Sequence, residues 1–172
     1  PFVWSLLLRQ SLSRQRTSGW PVCHGHFVDL LCLLLYLGGL RDLDDHLPQN
    51  QGFDEYFGIP YSNDMFIGAS HKFADEVNFL NGYTIEKAKE DQKFIKENYN
   101  DRKKIADRGI KELVPLFEGN KIVEYPCNQA TLTPRLFNRA INFIENNSNK
   151  PFLIYLTPAM PHVPLFVSEK FK

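Results

Sequence analysis

The chain has 172 residues, with 20 Lys and Arg against 20 Asp and Glu, so its formal net charge is zero. This length predicts one domain or part of one, and the neutral charge argues against a nucleic-acid partner. The longest apolar run, residues 27–37, includes Asp29 and is too short to span a membrane.

Composition changes abruptly near Leu47. The first 47 residues contain no Lys, Ile, Glu or Asn, whereas the remainder contains 12, 10, 10 and 13 of them, and Leu shows the opposite bias, with 13 before the join and 8 after it. We therefore interpret residues 1–47 as a leucine- and arginine-rich segment that is not native to the domain following it, as a shifted reading frame would produce. A short buried helix is predicted within it over Val28–Leu37.

The cysteines and other polar pairs give weak signals. Cys23, Cys32 and Cys127 are odd in number and include no CxxC pair, which predicts neither a disulfide framework nor a zinc ribbon. The Cys23–His26 cluster lacks a distant second pair of ligands, and Asp44-Asp45 is more typical of a surface turn than of a cation site. The chain starts at Pro1 and shows no signal peptide.

From Pro48 onward the sequence is typical of a globular protein. Prolines, glycines and small polar residues predict a loop over Gln51–Asp64 that rests on a core through its aromatic side chains. Residues 66–112 are predicted to be helical, because Phe73, Val77 and Leu80 follow helical spacing. Nine Lys or Arg and seven Asp or Glu lie between positions 86 and 112, which favours a solvated helical excursion over a charged docking surface.

The last third predicts clearer elements. Residues 113–117 and 121–124 are predicted to be extended segments on either side of a turn at Glu118-Gly119-Asn120. A helix is predicted from an N-cap at Thr133, with Pro134 at its first position, to about Asn146. Its predicted apolar face consists of Leu136, Phe137, Ala140, Ile141 and Ile144.

The run Phe152–Leu156 is continuously apolar and predicts a strand buried on both sides, which with the preceding helix makes half of a parallel α/β repeat. Ligands in such sheets bind beyond the carboxyl ends of the strands, where His162 lies in a proline-rich loop. His162 is thus a candidate catalytic or anion-binding residue, the alternative being a histidine hydrogen-bonded inside a rigid loop. Ser62 is a second candidate for binding an oxyanion, although serines in such loops more often close a local turn.

Three stretches resemble the arylsulfatases in the same order: Leu47-Pro48 through Ser62-Asn63-Asp64, Val114 through Ile144, and Lys150-Pro151-Phe152 through Phe171. The resemblance implies an α/β fold like that of alkaline phosphatase, with a mixed sheet between helices, incomplete here. It also implies hydrolysis of sulfate esters on a small molecule or glycoconjugate, by a hydrated formylglycine made from the Cys of a C-x-P-x-R motif, with a calcium ion holding the sulfate. By the same resemblance His162 contacts the sulfate and Ser62 lies at the substrate. The family's location is secreted, lysosomal or periplasmic.

The sequence also departs from that family. None of the three cysteines lies in a C-x-P-x-R motif, no Gly-Lys-Trp-His motif precedes Leu47, and Asp44-Asp45 is not the family's metal pair. We therefore expect residues 48–172 to be a partial sulfatase catalytic domain with a charged helical insertion at about 66–110, with no identifiable nucleophile or metal ligand. This chain is predicted to be inactive. The alternative is a non-catalytic pseudo-sulfatase that binds an anion or sulfated ligand, and a phosphoesterase of the same superfamily is disfavoured because the matched loops are sulfatase-like.

Overall fold

A computed structural model describes residues 4–9, 48–51, 53–149 and 151–172. The strands are β1 (Trp4–Arg9), β2 (Glu55–Ile59), β3 (Lys72–Phe79), β4 (Leu116–Glu118), β5 (Lys121–Tyr125) and β6 (Leu153–Leu156). The α-helices are α1 (Ile85–Glu97), α2 (Arg102–Asp107) and α3 (Leu132–Asn147), and short 3-10 helices cover Pro48–Gln51, Gln129–Thr131 and Glu169–Phe171. The helix predicted over Val28–Leu37 lies outside the described residues.

The six strands form one mixed sheet in the order β3-β5-β4-β2-β1-β6. Strand β1 runs antiparallel to both β2 and β6, so β2 and β6 point the same way. Strand β4 runs antiparallel to both β2 and β5, and β3 is parallel to β5. The carboxyl ends of β2, β3, β5 and β6 therefore lie at one edge of the sheet.

Apolar side chains fill both faces of this sheet. Alternation along β2 sends Phe57 and Ile59 to the face covered by α3, and Tyr56 to the face covered by α1 and α2. The core under α3 also contains Val114, Leu116, Leu132, Leu136, Ala140 and Phe143. The opposite core contains Ile67, Ala88, Ile95, Ile105, Phe117, Ile122 and Tyr125. The predicted class, a mixed α/β sheet between helices, is confirmed.

The turn predicted at Glu118-Gly119-Asn120 is confirmed as the two-residue loop of the β4–β5 hairpin. Gly119 has φ +59°, a conformation in which a Cβ atom is strained. A Cβ there would also lie 3.0 Å from the Gln49 carboxamide.

Two predicted local structures are wrong. The loop predicted over Gln51–Asp64 contains the central strand β2, because its aromatic side chains alternate between two cores instead of resting on one. The helix predicted around Phe73 is strand β3: three residues at helical spacing do not outweigh parallel pairing with β5 and the packing of Phe73 beside Phe79, with ring centroids 6.2 Å apart.

Helix α3 differs from its prediction at its start and on its apolar face. It begins at Leu132, with Thr131 rather than Thr133 at the N-cap, while its last residue, Asn147, is one beyond the predicted end. Leu136 and Ala140 are buried as predicted, and Phe143 joins them. However, Phe137, Ile141 and Ile144 are exposed by 45%, 50% and 43%, because they lie to one side of the stripe that meets the sheet.

Strand β6 forms where predicted, but its four residues are half-buried. Within the described part of the chain β6 pairs with β1 alone, so it lies at an edge and not between two strands.

The charged segment is helical as predicted, although one face of it is buried in the domain. Asp91 of α1 is 2% exposed and accepts hydrogen bonds from Arg108 Nε at 2.8 Å and from the Tyr83 hydroxyl at 3.1 Å. Burial and the adjacent Asp91 carboxylate raise the pKa of Tyr83 to about 12. No helix among the described residues is long and apolar enough to cross a membrane.

Candidate functional site

Three loops meet at the edge of the sheet where the parallel strands end. The loop after β2 carries Ser62 and Asn63, the segment after β5 carries Gln129, and the loop after β6 carries His162. They meet because β2, β5 and β6 point the same way, which places the predicted candidates Ser62 and His162 on neighbouring loops despite their separation in sequence.

Asn63 joins two of these loops and is fully buried. Its amide nitrogen donates to the carbonyl of Pro164 at 3.0 Å, and its Oδ1 lies 3.0 Å from His162 Nδ1. The loop of His162 is further held by the His162 N–H, which donates to the carbonyl of Ala159 at 2.8 Å, and Ala159 is buried in the core under α3. The half-buried imidazole of His162 is therefore held by Asn63, and the backbone of His162 is held by Ala159.

Gln129 holds the Asn63 loop from the other side. Its amide nitrogen donates to the carbonyls of Asn63 at 3.0 Å and of Glu112 at 3.1 Å. Gln129 is only 6% exposed, so these two bonds are shielded from water. The backbone of Asn63 is thereby tied to the end of the charged segment.

Ser62 makes the local contacts of a turn. Its hydroxyl donates to Asp64 Oδ1 at 2.5 Å, and its carbonyl accepts from the Met65 N–H at 3.2 Å. A hydroxyl that donates to Asp64 keeps a lone pair for accepting, so donation to an anion requires the Asp64 contact to open.

The far side of the same loop rests on aromatic and helical contacts. The Tyr61 ring stacks on His71 at 5.7 Å, and His71 packs edge-on against Phe117 at 4.9 Å. The His71 Nδ1 accepts from the Gly68 N–H at 3.0 Å. Gln92 of α1 donates to the carbonyls of Gly68 and His71 at 2.8 and 2.9 Å, so the charged helical segment supports the loop that carries Ser62 and Asn63.

Nothing in the described part of the chain provides a nucleophilic cysteine. Cys127 is buried, and burial raises the pKa of its thiol to about 12, aided by the nearby Glu124 carboxylate. Such a thiol is protonated and inaccessible near neutral pH. Cys23, Cys32, His24 and His26 lie outside the described residues.

The described residues also do not fit the calcium site that the resemblance implies. They contain no group of three or more His, Cys, Asp or Glu side chains placed to hold a metal ion. Asp44-Asp45 lies outside them. Calcium therefore has no assigned ligand in this part of the fold.

Sequence reasoning identified His162 and Ser62 but not the two amides that connect their loops. Asn63 stands inside the Pro60–Asp64 loop, yet its partners lie about a hundred residues further along the chain. No spacing rule links such distant positions. The order of the strands could have indicated that these loops are neighbours. The incorrect prediction of a loop in place of β2 hid that order.

Curated relatives of one class, the arylsulfatases, match this chain. Arylsulfatase G of Rattus norvegicus is 37% identical over 124 residues, which cover 70% of this chain and 21% of the relative. Arylsulfatase G of Mus musculus is 35% identical over 123 residues, and that of Homo sapiens 33% over 128 residues. No protein-family model matches the chain. No solved structure matches it.

The mixed α/β fold and this degree of identity support a sulfatase fragment. The matched part of the chain is similar to the arylsulfatases, and to Arylsulfatase G in particular. The chain spans about a fifth of the length of the curated relatives it matches.

Proposed function

We propose that residues 48–172 form part of a sulfuric ester hydrolase in which His162 contacts the sulfate group and Ser62 lies at the substrate. The observation that carries this proposal is the Asn63–His162 hydrogen bond, which joins the two loops at the carboxyl edge of the sheet. Two fixed loops lower the entropy lost when a ligand binds between them. The relatives' name, arylsulfatase, supports a sulfate ester as the substrate class.

A sulfate ester is an anion, and the site offers it a hydrogen-bonding ring on a rigid loop. A protonated imidazole supplies a positive charge and N–H donors, and such charge-assisted bonds are about twice as strong as neutral ones. Ser62 adds a hydroxyl from the neighbouring loop once its contact with Asp64 opens. His162 and Ser62 are therefore given binding roles. The attacking group, which the resemblance assigns to a formylglycine, lies elsewhere in the complete enzyme.

This chain by itself is proposed not to hydrolyse sulfate esters, because none of its cysteines lies in a C-x-P-x-R motif and Cys127 is buried. For the complete protein we propose a secreted or lysosomal location, by analogy with its relatives.

The test compares this chain with the native protein that contains residues 48–172. Each is assayed with an aryl sulfate and calcium, as wild type and as His162→Ala, with Asn142→Ala at an exposed position of α3 as the control. We expect turnover from the native protein alone, abolished by His162→Ala and unchanged by Asn142→Ala. Turnover that survives His162→Ala would overturn the role of His162, and turnover by the 172-residue chain would overturn its inactivity.

A second candidate is a non-catalytic pseudo-sulfatase that binds an anion. It is favoured by the intact Asn63–His162 contact and by the burial of Cys127, which is unsuited to catalysis. Binding of a sulfated ligand by the native protein without turnover would support this candidate over the hydrolase.

A further inference from the structure

The hydrogen bond between Asn63 and His162 has a direction that a third residue fixes. Asn63 Nδ2 lies 3.0 Å from the Pro164 carbonyl oxygen, which can only accept, so the amide nitrogen must face Pro164. The amide oxygen Oδ1 is then the atom 3.0 Å from His162 Nδ1. Because an amide oxygen also only accepts, Nδ1 must carry the hydrogen.

We propose that Asn63 is a positioning residue that holds the neutral ring of His162 in the Nδ1–H tautomer. Nε2 of the neutral ring then carries the lone pair and gains a hydrogen only when the ring becomes an imidazolium. His162 can therefore accept a proton at Nε2 when neutral, and can donate to an anion from Nε2 only when charged. The relevance to sulfate rests on the proposed function, whereas the tautomer itself does not.

The charged groups around His162 leave this assignment in place. The loop after β2 carries Asp64, whose carboxylate accepts from the Ser62 hydroxyl. Residues 157–167 carry no acidic or basic side chain other than His162. Gln129, which holds the Asn63 backbone, is neutral. The hydrogen bond that the structure gives to Nδ1 is the one with the Asn63 amide oxygen.

His71 provides a comparison within the same chain, because its neutral ring is expected to adopt the opposite tautomer. Its Nδ1 accepts from the Gly68 N–H at 3.0 Å, and a backbone N–H can only donate. The neutral His71 ring must therefore carry its hydrogen on Nε2. Two histidines of one chain are expected to show opposite tautomers, because Nδ1 accepts a hydrogen bond in His71 and donates one in His162.

The experiment records long-range ¹⁵N–¹H correlation spectra of the histidine rings in the ¹⁵N-labelled 172-residue chain, at a pH where the rings are neutral. His162→Gln and His71→Gln assign the two rings by loss of their signals. We expect a pyrrole-like Nδ1 and a pyridine-like Nε2 in His162, and the reverse in His71. A pyridine-like Nδ1 in His162 would overturn the proposal.

Asn63→Ala then tests the cause. Removing the acceptor should change the ratio of the two His162 tautomers by about fivefold or more, the factor that one hydrogen bond of ordinary net strength supplies, and should leave His71 unchanged. An unchanged ratio in a folded variant would overturn the proposal; if Asn63→Ala does not fold, the wild-type spectrum decides. Sulfate titrated into the same sample tests the proposed function separately, because its failure to bind leaves the tautomer assignment unaffected.

Discussion

Replacing Arg108 with Met should destabilise the chain far more than the same change at Arg139. The side chain of Arg108 is 26% exposed, and the side chain of its partner Asp91 is 3% exposed. Breaking a buried ion pair costs about 3–5 kcal/mol, and the partial exposure of Arg108 reduces the expected loss to about 2–3 kcal/mol. The Arg108 guanidinium carbon lies 4.4 Å from the centroid of the Phe94 ring. The Met thioether can pack against the same ring, so Met limits the loss of packing while it removes the charge.

Arg139 is the matched control. It contacts Glu118 and Glu55, and all three side chains are 38–45% exposed, so Arg139→Met should cost no more than about 1 kcal/mol. Urea unfolding followed by far-ultraviolet circular dichroism measures both losses. Asp91→Asn combined with Arg108→Met should recover part of the loss, because the buried charge is then gone. Equal losses for the two arginine variants would refute the conclusion that the Asp91–Arg108 pair is buried.

Three further outcomes are expected. Phe143→Ala should cost about 3–5 kcal/mol in urea unfolding and Phe137→Ala about 1 kcal/mol or less, because Phe143 is 4% exposed and Phe137 45%; similar losses would contradict the assigned face of α3. Folding raises the pKa of Tyr83 from 10.0 to about 12, so the folded state binds more protons between these values and the free energy of unfolding should fall as pH rises from 10 to 12. Tyr83→Phe should reduce the dependence of the free energy of unfolding on pH in this range. An unchanged dependence would contradict the raised pKa of Tyr83. The Cys127 thiol should resist iodoacetamide at pH 8 until urea unfolds the chain, as measured by peptide mass spectrometry, and rapid labelling without urea would show that it is accessible.

The sequence was informative where local chemistry decides the structure. The β4–β5 turn needs a residue such as Gly119 with positive φ, and α3 presents an apolar stripe to the sheet, so both were predictable from their own residues. His162 is a candidate because the apolar run Phe152–Leu156 leads directly into its loop.

The sequence was misleading where the arrangement of the whole sheet decides the structure. The loop prediction for β2 rests on the prolines, glycines and small polar residues of Gln51–Asp64, yet the position of β2 between β4 and β1 gives both of its faces a core. Strand β6 was expected to be fully buried because its residues are apolar, but an edge position leaves it half-buried. The link between Asn63 and His162 could not be predicted, since it depends on β2 and β6 pointing the same way.

The joined loops of Asn63 and His162 are proposed to form a sulfate-contacting site. The decisive measurement is a titration of sodium sulfate into the ¹⁵N-labelled chain at pH 6 and constant ionic strength, with sodium chloride as the control. We expect saturable shifts of the His162 ring and of the Met65 and Val163 amides with sulfate alone, with the His71 ring unmoved. In His162→Gln the amide shifts should report sulfate binding that is weaker by at least about tenfold, as expected for loss of a charge-assisted hydrogen bond. Equal shifts of His71, or unchanged affinity in His162→Gln, would contradict the claim.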